Sequence, residues 1–591
     1  MSVAEPAVRP AGRFVADLAV MVGLGAGLYL LCYPVFFAGM TLSHDDIALH
    51  ETARLHGPAY WLTTGYGAFF EVGSYQFIRP VSHALMAFNQ TVFGDRHDLY
   101  MLPFFLLMGL GAAAASGLMR AAGLPGPAAV AAGAGLLLLP SWLPAGLSYV
   151  TFQQDALAGA LAMLTAYSCF RHRWAWAAAV MTVALFTKEI ALFLPFAAAL
   201  WAIVFARAPR AGLAMLLPLA LWLAVRLAAV GSVTGGAYAV SGGVSGLVWN
   251  LMRGLAAWPA GLANVGDIKA MLTTAMAGGP LAALAGHPGV AAALGLNLAL
   301  DAALATLALW LLMRCVRGGF AAAEPADQVL ALLTVWTLGA FGLLALLTVG
   351  MRFAAALHPA LILTLVCVAA RWTPVPPGAM WGWARVGAAG LLAVFLAGLA
   401  VKSGGALRYH AGVLTEPRDF AALSDAIDAL PPAPGGRVLV VNAPITGAAP
   451  RWMTSFWGRA ETLVLSNRIN GCNRAEGLPP PQVEPLVGGR IRVRARVPDC
   501  ADLLILWRGG RAELARAGAQ RTLPGGSTMT YAFPDGRADT SAEAGNTPDV
   551  TYGQILELDL APGDFDYILV RDWTSGAFVP LSAHAAGMDD R

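Results

Sequence analysis

Apolar stretches of about 20 residues recur through the first two thirds of this chain, and they limit the folds that it can adopt. A helix needs about 20 apolar residues to cross the hydrocarbon core of a bilayer. Residues 1–401 hold only 33 of the 73 charged side chains, whereas the last 190 residues hold 40. The pattern predicts a membrane domain over residues 1–401 and a water-soluble domain over residues 402–591. A charged share of 12% excludes a single cytosolic domain and a disordered chain.

The predicted fold is a polytopic α-helical membrane protein with a C-terminal α/β or β-rich soluble domain. About eleven transmembrane helices satisfy the length criterion. They lie near residues 14–39, 99–119, 126–148, 154–170, 174–187, 190–206, 211–230, 290–313, 329–350, 353–370 and 379–401. The fifth and sixth spans are short and meet at Lys188-Glu189, which indicates a tight polar turn between them.

Arginine marks every second connection between these spans. If the N-terminus with Arg9 and Arg13 is cytoplasmic, the positive-inside rule assigns all of the other clusters to the cytoplasmic side as well. Those clusters are Arg120, Arg171 with Arg173, Arg207 with Arg210, Arg314 with Arg317, and Arg371. An odd number of spans then puts the loop of residues 41–98 and the C-terminal domain outside the cytoplasm.

The first outer loop opens on Ser43-His44-Asp45-Asp46, directly after the first span. Two carboxylates at the membrane edge are poorly explained as solubilising charge, because the rest of the loop is rich in Tyr, Trp and Phe. The pair therefore indicates a catalytic or binding role. The structural alternative is a helix that is capped by Ser43 and carries acidic residues in its first turn.

The acidic pair begins a series of segments that resembles polytopic glycosyltransferases of the GT-C superfamily. The relatives suggested are protein O-mannosyltransferases and bacterial enzymes that modify envelope glycans. The further segments are Tyr75–Pro80, Phe93-Gly94, Gln153–Ala158, Phe186–Ala191 with Leu194-Pro195, Met351–Phe353, His358-Pro359 and Val440–Pro444. The chain departs from the family at Tyr100–Phe104, where members often have a His and an Asn, and its tail shows no tetratricopeptide period.

The resemblance implies transfer of a sugar from a polyprenyl phosphate to a glycan, lipid or protein acceptor, at the outer face of the bacterial cytoplasmic (inner) membrane. Asp45 is then the general base, and Asp46 orients the acceptor or contributes to a divalent-cation site. The candidates for binding the donor phosphate are Lys188, Arg79 and Arg352. The supporting residues are His44, Glu189, Asp155 and His358. No cofactor is assigned, and the metal requirement stays open.

Each assignment has a structural alternative. Lys188 is one of only three lysines in the chain, and the adjacent Glu189 is predicted to orient it. The structural alternative for Lys188 is a surface ion pair at a loop. Arg79 and Arg352 are equally suited to snorkelling towards the interface, and Asp155 to the first turn of a helix.

Two other classes of function stay open at this point. They are a transporter or flippase, and a non-catalytic subunit of an envelope polysaccharide assembly system. The internal repeats typical of transporters are not apparent in the spans. A nucleic-acid partner is excluded, because the net charge is only +3 and no run of basic residues occurs.

The tail alternates short apolar runs with Gly, Pro and Asp, which predicts a helix over Asp419–Leu430 and then a series of strands. These are residues 437–441, 462–465, 491–497, 503–507, 528–533, 555–560 and 567–571. The alternation in residues 491–497 puts three arginines, Arg492, Arg494 and Arg496, on one face, as a solvated face or as a contact for an anionic glycan. Cys472 and Cys500 are the only cysteines assigned to the outside, and we expect them to form a disulfide. No motif indicates catalysis in this domain.

Overall fold

The computed structural model forms two compact units. One comprises Met1–Pro34, His56–Gly94 and Leu99–His410, and the other comprises Val35–Leu55, Asp95–Asp98 and Ala411–Arg591. The structure describes residues 11–38, 79–94, 96–139, 142–143, 153–230, 265–316, 325–346, 356–370, 380–413, 422–423, 425–431, 437–443, 461–467, 482–488, 490–497, 503–508, 511–516, 519–522, 527–532, 554–561, 565–571 and 577–581.

The first unit is helical. Its helices are α1 (Ala11–Cys32), α2 (Pro80–Phe93), α3 (Leu102–Ala121), α4 (Gly126–Leu136), α5 (Gln153–Phe170), α6 (Trp174–Thr187), α7 (Leu194–Leu200), α8 (Pro209–Ala214), α9 (Leu217–Val230), α10 (Val265–Gly286), α11 (Pro288–Val316), α12 (Pro325–Leu346), α13 (Leu357–Ala370) and α14 (Met380–Val413). Helix α14 continues past the end of this unit. Short π-helical turns follow α1 and α7, and 3₁₀ turns lie at His97–Leu99 and Glu189–Ala191.

Six helical segments among the described residues are long and apolar enough to cross a membrane. They are Arg13–Phe37, His97–Ala121, Pro209–Ala228, Pro288–Arg314, Pro325–Leu343 and Arg385–Lys402. Shorter apolar helices lie at Gly126–Leu136, Trp174–Thr187, Glu189–Phe205, Ala270–Gly286 and Leu357–Ala370. The length and composition of these helices therefore indicate that the first unit is the membrane domain of a multi-pass membrane protein.

Helix α10 lies between the predicted spans of residues 211–230 and 290–313, in the stretch of residues 231–289 that the sequence predicts as an outer connection. The sequence Gly278-Gly279-Pro280 interrupts its apolar residues and hides their helical period. The backbone bends there, since Gly279 has φ 83° and Pro280 cannot continue the hydrogen bonding of a helix. Two apolar helical segments therefore meet at a kink at Gly279.

Contacts at the ends of α1, α3, α5 and α6 establish how these helices run. Asp17 near the start of α1 accepts hydrogen bonds of 2.7 and 2.8 Å from Arg120 near the end of α3, so α1 and α3 are antiparallel. Gln153 at the start of α5 donates to the carbonyl oxygen of Tyr100 just before α3, at 3.3 Å, so α5 is parallel to α3. These directions are those that the predicted order of spans requires.

The bundle therefore has two polar ends. The arginine end carries Arg120 together with Arg171 and Arg173, which follow α5. The lysine end carries Tyr100, Asp155 and Lys188. Small residues bring the helices close together between these ends.

Glycine is required at two of these helix crossings. A Cβ on Gly111 of α3 would lie 2.6 Å from Ala160 of α5. A Cβ on Gly109 would lie 2.8 Å from the Met21 carbonyl oxygen of α1.

The second unit contains two sheets in the tail. Their strands are β1 (Arg437–Ala443), β2 (Glu461–Asn467), β3 (Gln482–Pro485), β4 (Ile491–Val497), β5 (Leu503–Arg508), β6 (Arg511–Arg516), β7 (Ala519–Thr522), β8 (Thr528–Ala532), β9 (Gln554–Leu560), β10 (Tyr567–Arg571) and β11 (Phe578–Leu581). One sheet has the order β11-β10-β1-β2-β5-β6, with β1 parallel to both of its neighbours. The other has the order β3-β4-β9-β8-β7 and is antiparallel.

The arginines of β4 face acidic residues of β9 across the antiparallel pair. Arg492 donates to Asp559 at 2.7 and 3.1 Å, and Arg494 donates to Glu557 at 2.9 and 3.2 Å. The opposite face is buried, since Val493 is fully covered. Arg492 and Arg494 therefore form charge pairs on a partly exposed face, which agrees with the solvated-face interpretation of this strand.

Candidate functional site

The candidate site lies at the lysine end of the bundle, where three segments meet. Arg79 directly precedes α2, Gln154 and Asp155 lie in the first turn of α5, and Lys188 and Glu189 follow α6. Lys188 has extended backbone angles (φ −162°, ψ 147°), so the chain leaves the helix at this residue and re-enters a 3₁₀ turn at Glu189. The turn predicted between the fifth and sixth spans is confirmed.

Lys188 and Asp155 form a buried ion pair between α5 and the end of α6. The Nζ atom lies 2.6 Å from each carboxylate oxygen. The side chains are 3% and 0% exposed, so the pair has little access to solvent. A charge buried in this way needs a partner. The free-energy cost of leaving it unpaired is several times the stabilisation that a surface ion pair provides.

Arg79 and Glu189 form a second pair directly beside the first. Arg79 donates from Nε and Nη2 to Glu189 Oε2 at 3.0 and 2.7 Å, and from Nε to Oε1 at 3.3 Å. The same side of a guanidinium also suits phosphate. Its Nη1 donates to Gln154 Oε1 at 3.2 Å. Ser82 of α2 adds a hydrogen bond of 2.9 Å to the carbonyl oxygen of Thr187, which joins the start of α2 to the end of α6.

Two further residues among those that the structure describes lie in the cluster. His83 of α2 is buried, and burial together with the charge of Arg79 lowers the pKa of its ring to about 3, so it is neutral at physiological pH. Arg226 of α9 is buried and lies within electrostatic range of Glu189 and Arg79. Three cations and two carboxylates of the described residues therefore lie within electrostatic range of one another at the lysine end.

The structure brings together four of the predicted site residues, namely Arg79, Asp155, Lys188 and Glu189. Their pairing corrects the prediction that Glu189 orients Lys188. Glu189 binds Arg79, and the carboxylate that holds Lys188 comes from Asp155. The physical reason is that consecutive residues at a turn project in different directions, while the antiparallel packing of α5 and α6 brings Asp155 to Lys188.

His358 lies at the start of α13, fully buried, with its ring edge-to-face against Phe395 of α14 at 5.7 Å between centroids. The remaining predicted site residues lie outside the described residues, and their roles stay predictions. They are His44, Asp45, Asp46 and Arg352, together with the expected disulfide of Cys472 and Cys500.

Sequence reasoning missed two members of the cluster. The sequence patterns assign no individual role to Gln154 or Arg226. A signal was present for Arg226, since a charged residue inside an apolar span usually faces a partner or a cavity. The sequence held no signal that it would approach Arg79.

The cluster suits anion binding better than proton transfer. Both carboxylates are engaged by cations, and accepting a proton would break their ion pairs. Among the described residues, no group of three or more His, Cys, Asp and Glu side chains could hold a metal ion. No protein-family model matches the chain, and no curated protein is significantly similar to it.

Proposed function

We propose that this protein is a membrane glycosyltransferase with a GT-C-like arrangement of about eleven spans. It moves a sugar from a polyprenyl phosphate to a glycan, lipid or protein acceptor at the outer face of a bacterial cytoplasmic membrane. The C-terminal domain lies on the same, extracytoplasmic side and has no catalysis of its own.

The observation that carries this proposal is the cluster at the lysine end. Arg79 and Lys188, two of the residues that the sequence predicts as ligands of the donor phosphate, lie side by side at the end of the bundle away from Arg120. Their carboxylate partners hold both cations in place before substrate arrives. Preorganised cations stabilise the charge that grows on a leaving phosphate without reorganisation at the moment of reaction.

The proposed reaction is a displacement at the anomeric carbon of the donor. A hydroxyl or amide of the acceptor forms the new bond to this carbon and passes its proton to the carboxylate of Asp45. The bond from the anomeric carbon to the phosphate oxygen breaks, and its electron pair leaves with the polyprenyl phosphate. Arg79 and Lys188 stabilise this anion, with Arg352 as the third predicted cation.

Both described carboxylates of the cluster form ion pairs with cations, which favours a general base from outside the cluster. Asp155 and Glu189 serve to position cations, so the proton acceptor must be another group. Asp45 fits this role by its place in the acidic pair, and Asp46 orients the acceptor. The test below also asks whether the reaction needs a divalent cation at Asp45 and Asp46.

The test is release of polyprenyl phosphate by purified protein in nanodiscs, with a panel of polyprenyl-phosphate sugars and an extract of envelope glycolipids, with and without chelator. Asp45→Asn should lower the rate by about 10²–10⁴ while donor binding changes little. Lys188→Ala should weaken donor binding and slow turnover together. Arg173→Gln, an exposed change at the arginine end, is the matched control.

Two results would contradict the proposal. Folded Asp45→Asn protein with the wild-type rate would remove Asp45 from the mechanism. Donor binding without release of polyprenyl phosphate from any donor would favour a flippase or an assembly subunit.

A further inference from the structure

Two buried carboxamides converge on one backbone carbonyl at the lysine end. Asn89 of α2 donates from Nδ2 to the Tyr100 carbonyl oxygen at 3.1 Å, and Gln153 of α5 donates from Nε2 to the same oxygen at 3.3 Å. Gln153 Nε2 also contacts Met101 Sδ at 2.7 Å. These contacts determine the orientation of both amides, because a flipped amide would place its oxygen against a carbonyl oxygen.

The oxygen atoms of the same two amides accept no hydrogen bond from the described residues. Asn89 Oδ1 and Gln153 Oε1 are buried, and neither has a hydrogen-bond partner among the residues that the structure describes. The residues are 0% and 1% exposed, so bulk water does not supply a donor. Buried polar atoms are almost always hydrogen-bonded in native proteins. Two such acceptors beside one carbonyl therefore indicate a bound group that donates hydrogen bonds.

These acceptors belong to the same two helices as the ion-pair cluster. Gln153 is followed by Gln154, which binds Arg79, and by Asp155, which binds Lys188. Asn89 lies in α2, the helix that Arg79 precedes. The lysine end thus combines cations, which attract an anion, with neutral acceptors, which attract hydroxyl groups.

We propose that Asn89 and Gln153 form a hydroxyl-binding subsite for the sugar of the donor. The inference rests on the proposed function, since it assigns the sugar half of the ligand whose phosphate half meets Arg79 and Lys188. Uncharged acceptors bind hydrogen-bond donors, of which hydroxyls are the ones that a sugar carries in greatest number, and give no advantage to an anion. The same chemistry is satisfied by a water molecule, so the experiment must separate a sugar hydroxyl from a resident water.

The first arm uses the wild-type protein with monodeoxy analogues of its best donor. A site that is built to bond a hydroxyl is left with an unpaired buried acceptor when that hydroxyl is missing. We expect one or two analogues to be transferred about 10-fold to 100-fold less efficiently, by kcat/KM. Equal transfer of all analogues would overturn the inference, because it would leave the acceptors to a resident water.

The second arm repeats the series with Asn89→Leu and Gln153→Met, each checked for wild-type thermal unfolding in the same nanodiscs. Each variant should lose the discrimination against the matching analogue, and should transfer intact and deoxy donors at similar rates. A purely structural role would lower stability and leave the discrimination unchanged. Thr91→Val is the matched control, an exposed change on α2 whose hydroxyl bonds its own helix at Ala87.

The outcomes separate the inference from the proposed function. If the wild-type protein transfers no sugar from any donor, the proposed function fails and this subsite falls with it. If it transfers sugar and the folded variants keep the wild-type discrimination, the proposed function stands and the subsite is wrong.

Discussion

The ion pair between Lys188 and Asp155 predicts a strongly non-additive effect on stability. Both side chains are buried, and Nζ lies 2.6 Å from each carboxylate oxygen. Removing one partner leaves a buried, uncompensated charge, at a cost of about 3–5 kcal/mol in the free energy of unfolding. Replacing both by apolar residues of similar volume is often neutral. Lys188→Met and Asp155→Leu should therefore each destabilise the protein, and the double variant should recover most of the loss.

The measurement is unfolding of the purified protein in mixed micelles with increasing SDS, followed by tryptophan fluorescence. Trp142, Trp201 and Trp336 are fully buried and report on the helical unit. Arg494→Gln is the control, because its pair with Glu557 is largely exposed and should be worth less than about 1 kcal/mol.

Additive losses in the double variant would refute the reasoning, as would single losses no larger than that of the control. Either result would mean that the two charges do not depend on each other in the folded protein. The double variant also bears on function. If it folds like the wild type and no longer binds donor, Lys188 acts on the phosphate as well as on its partner.

Three further predictions follow from the structure. His83 is neutral in the folded protein with a pKa near 3, against about 6.5 when unfolded, so stability should fall as the pH drops from 6.5 towards 3, and His83→Leu should flatten this dependence in pH titrations of unfolding. Arg492 lowers the pKa of Asp559, so their pair should stabilise the tail at neutral pH and lose its effect in acid; Arg492→Gln should cost stability at pH 7 and little at pH 3. Reporter fusions after Arg120 and after Lys402 should report opposite sides of the membrane, and a common side would contradict the predicted orientation.

Much of the local structure was predictable because it depends on residues close together in the chain. Strict alternation set the bounds of Ile491–Val497, which the structure repeats as β4. Strands such as Arg511–Arg516 were missed because Arg, Ala and Glu have little preference for strands. Pairing with β5 forms this strand instead.

The candidate site shows the same contrast between what local sequence predicts and what packing decides. The rarity of lysine and the break in apolar character selected Lys188, and the sequence around Arg79 and Asp155 selected those residues. The partners were not predictable in the same way. Glu189 is adjacent to Lys188 in the chain, yet the carboxylate that binds the lysine comes from 33 residues away.

The sequence by itself determined that this chain is a multi-pass membrane protein with a separate tail, since apolar length and charge distribution are properties of single segments. It also determined which charged residues interrupt the apolar segments. Only the tertiary structure decided which charges meet. The pairing of Lys188 with Asp155, the approach of Arg226 to Arg79, and the shared carbonyl of Asn89 and Gln153 all depend on how helices pack. Packing direction and distance are set by contacts between segments that are far apart in the chain, and no single segment encodes them.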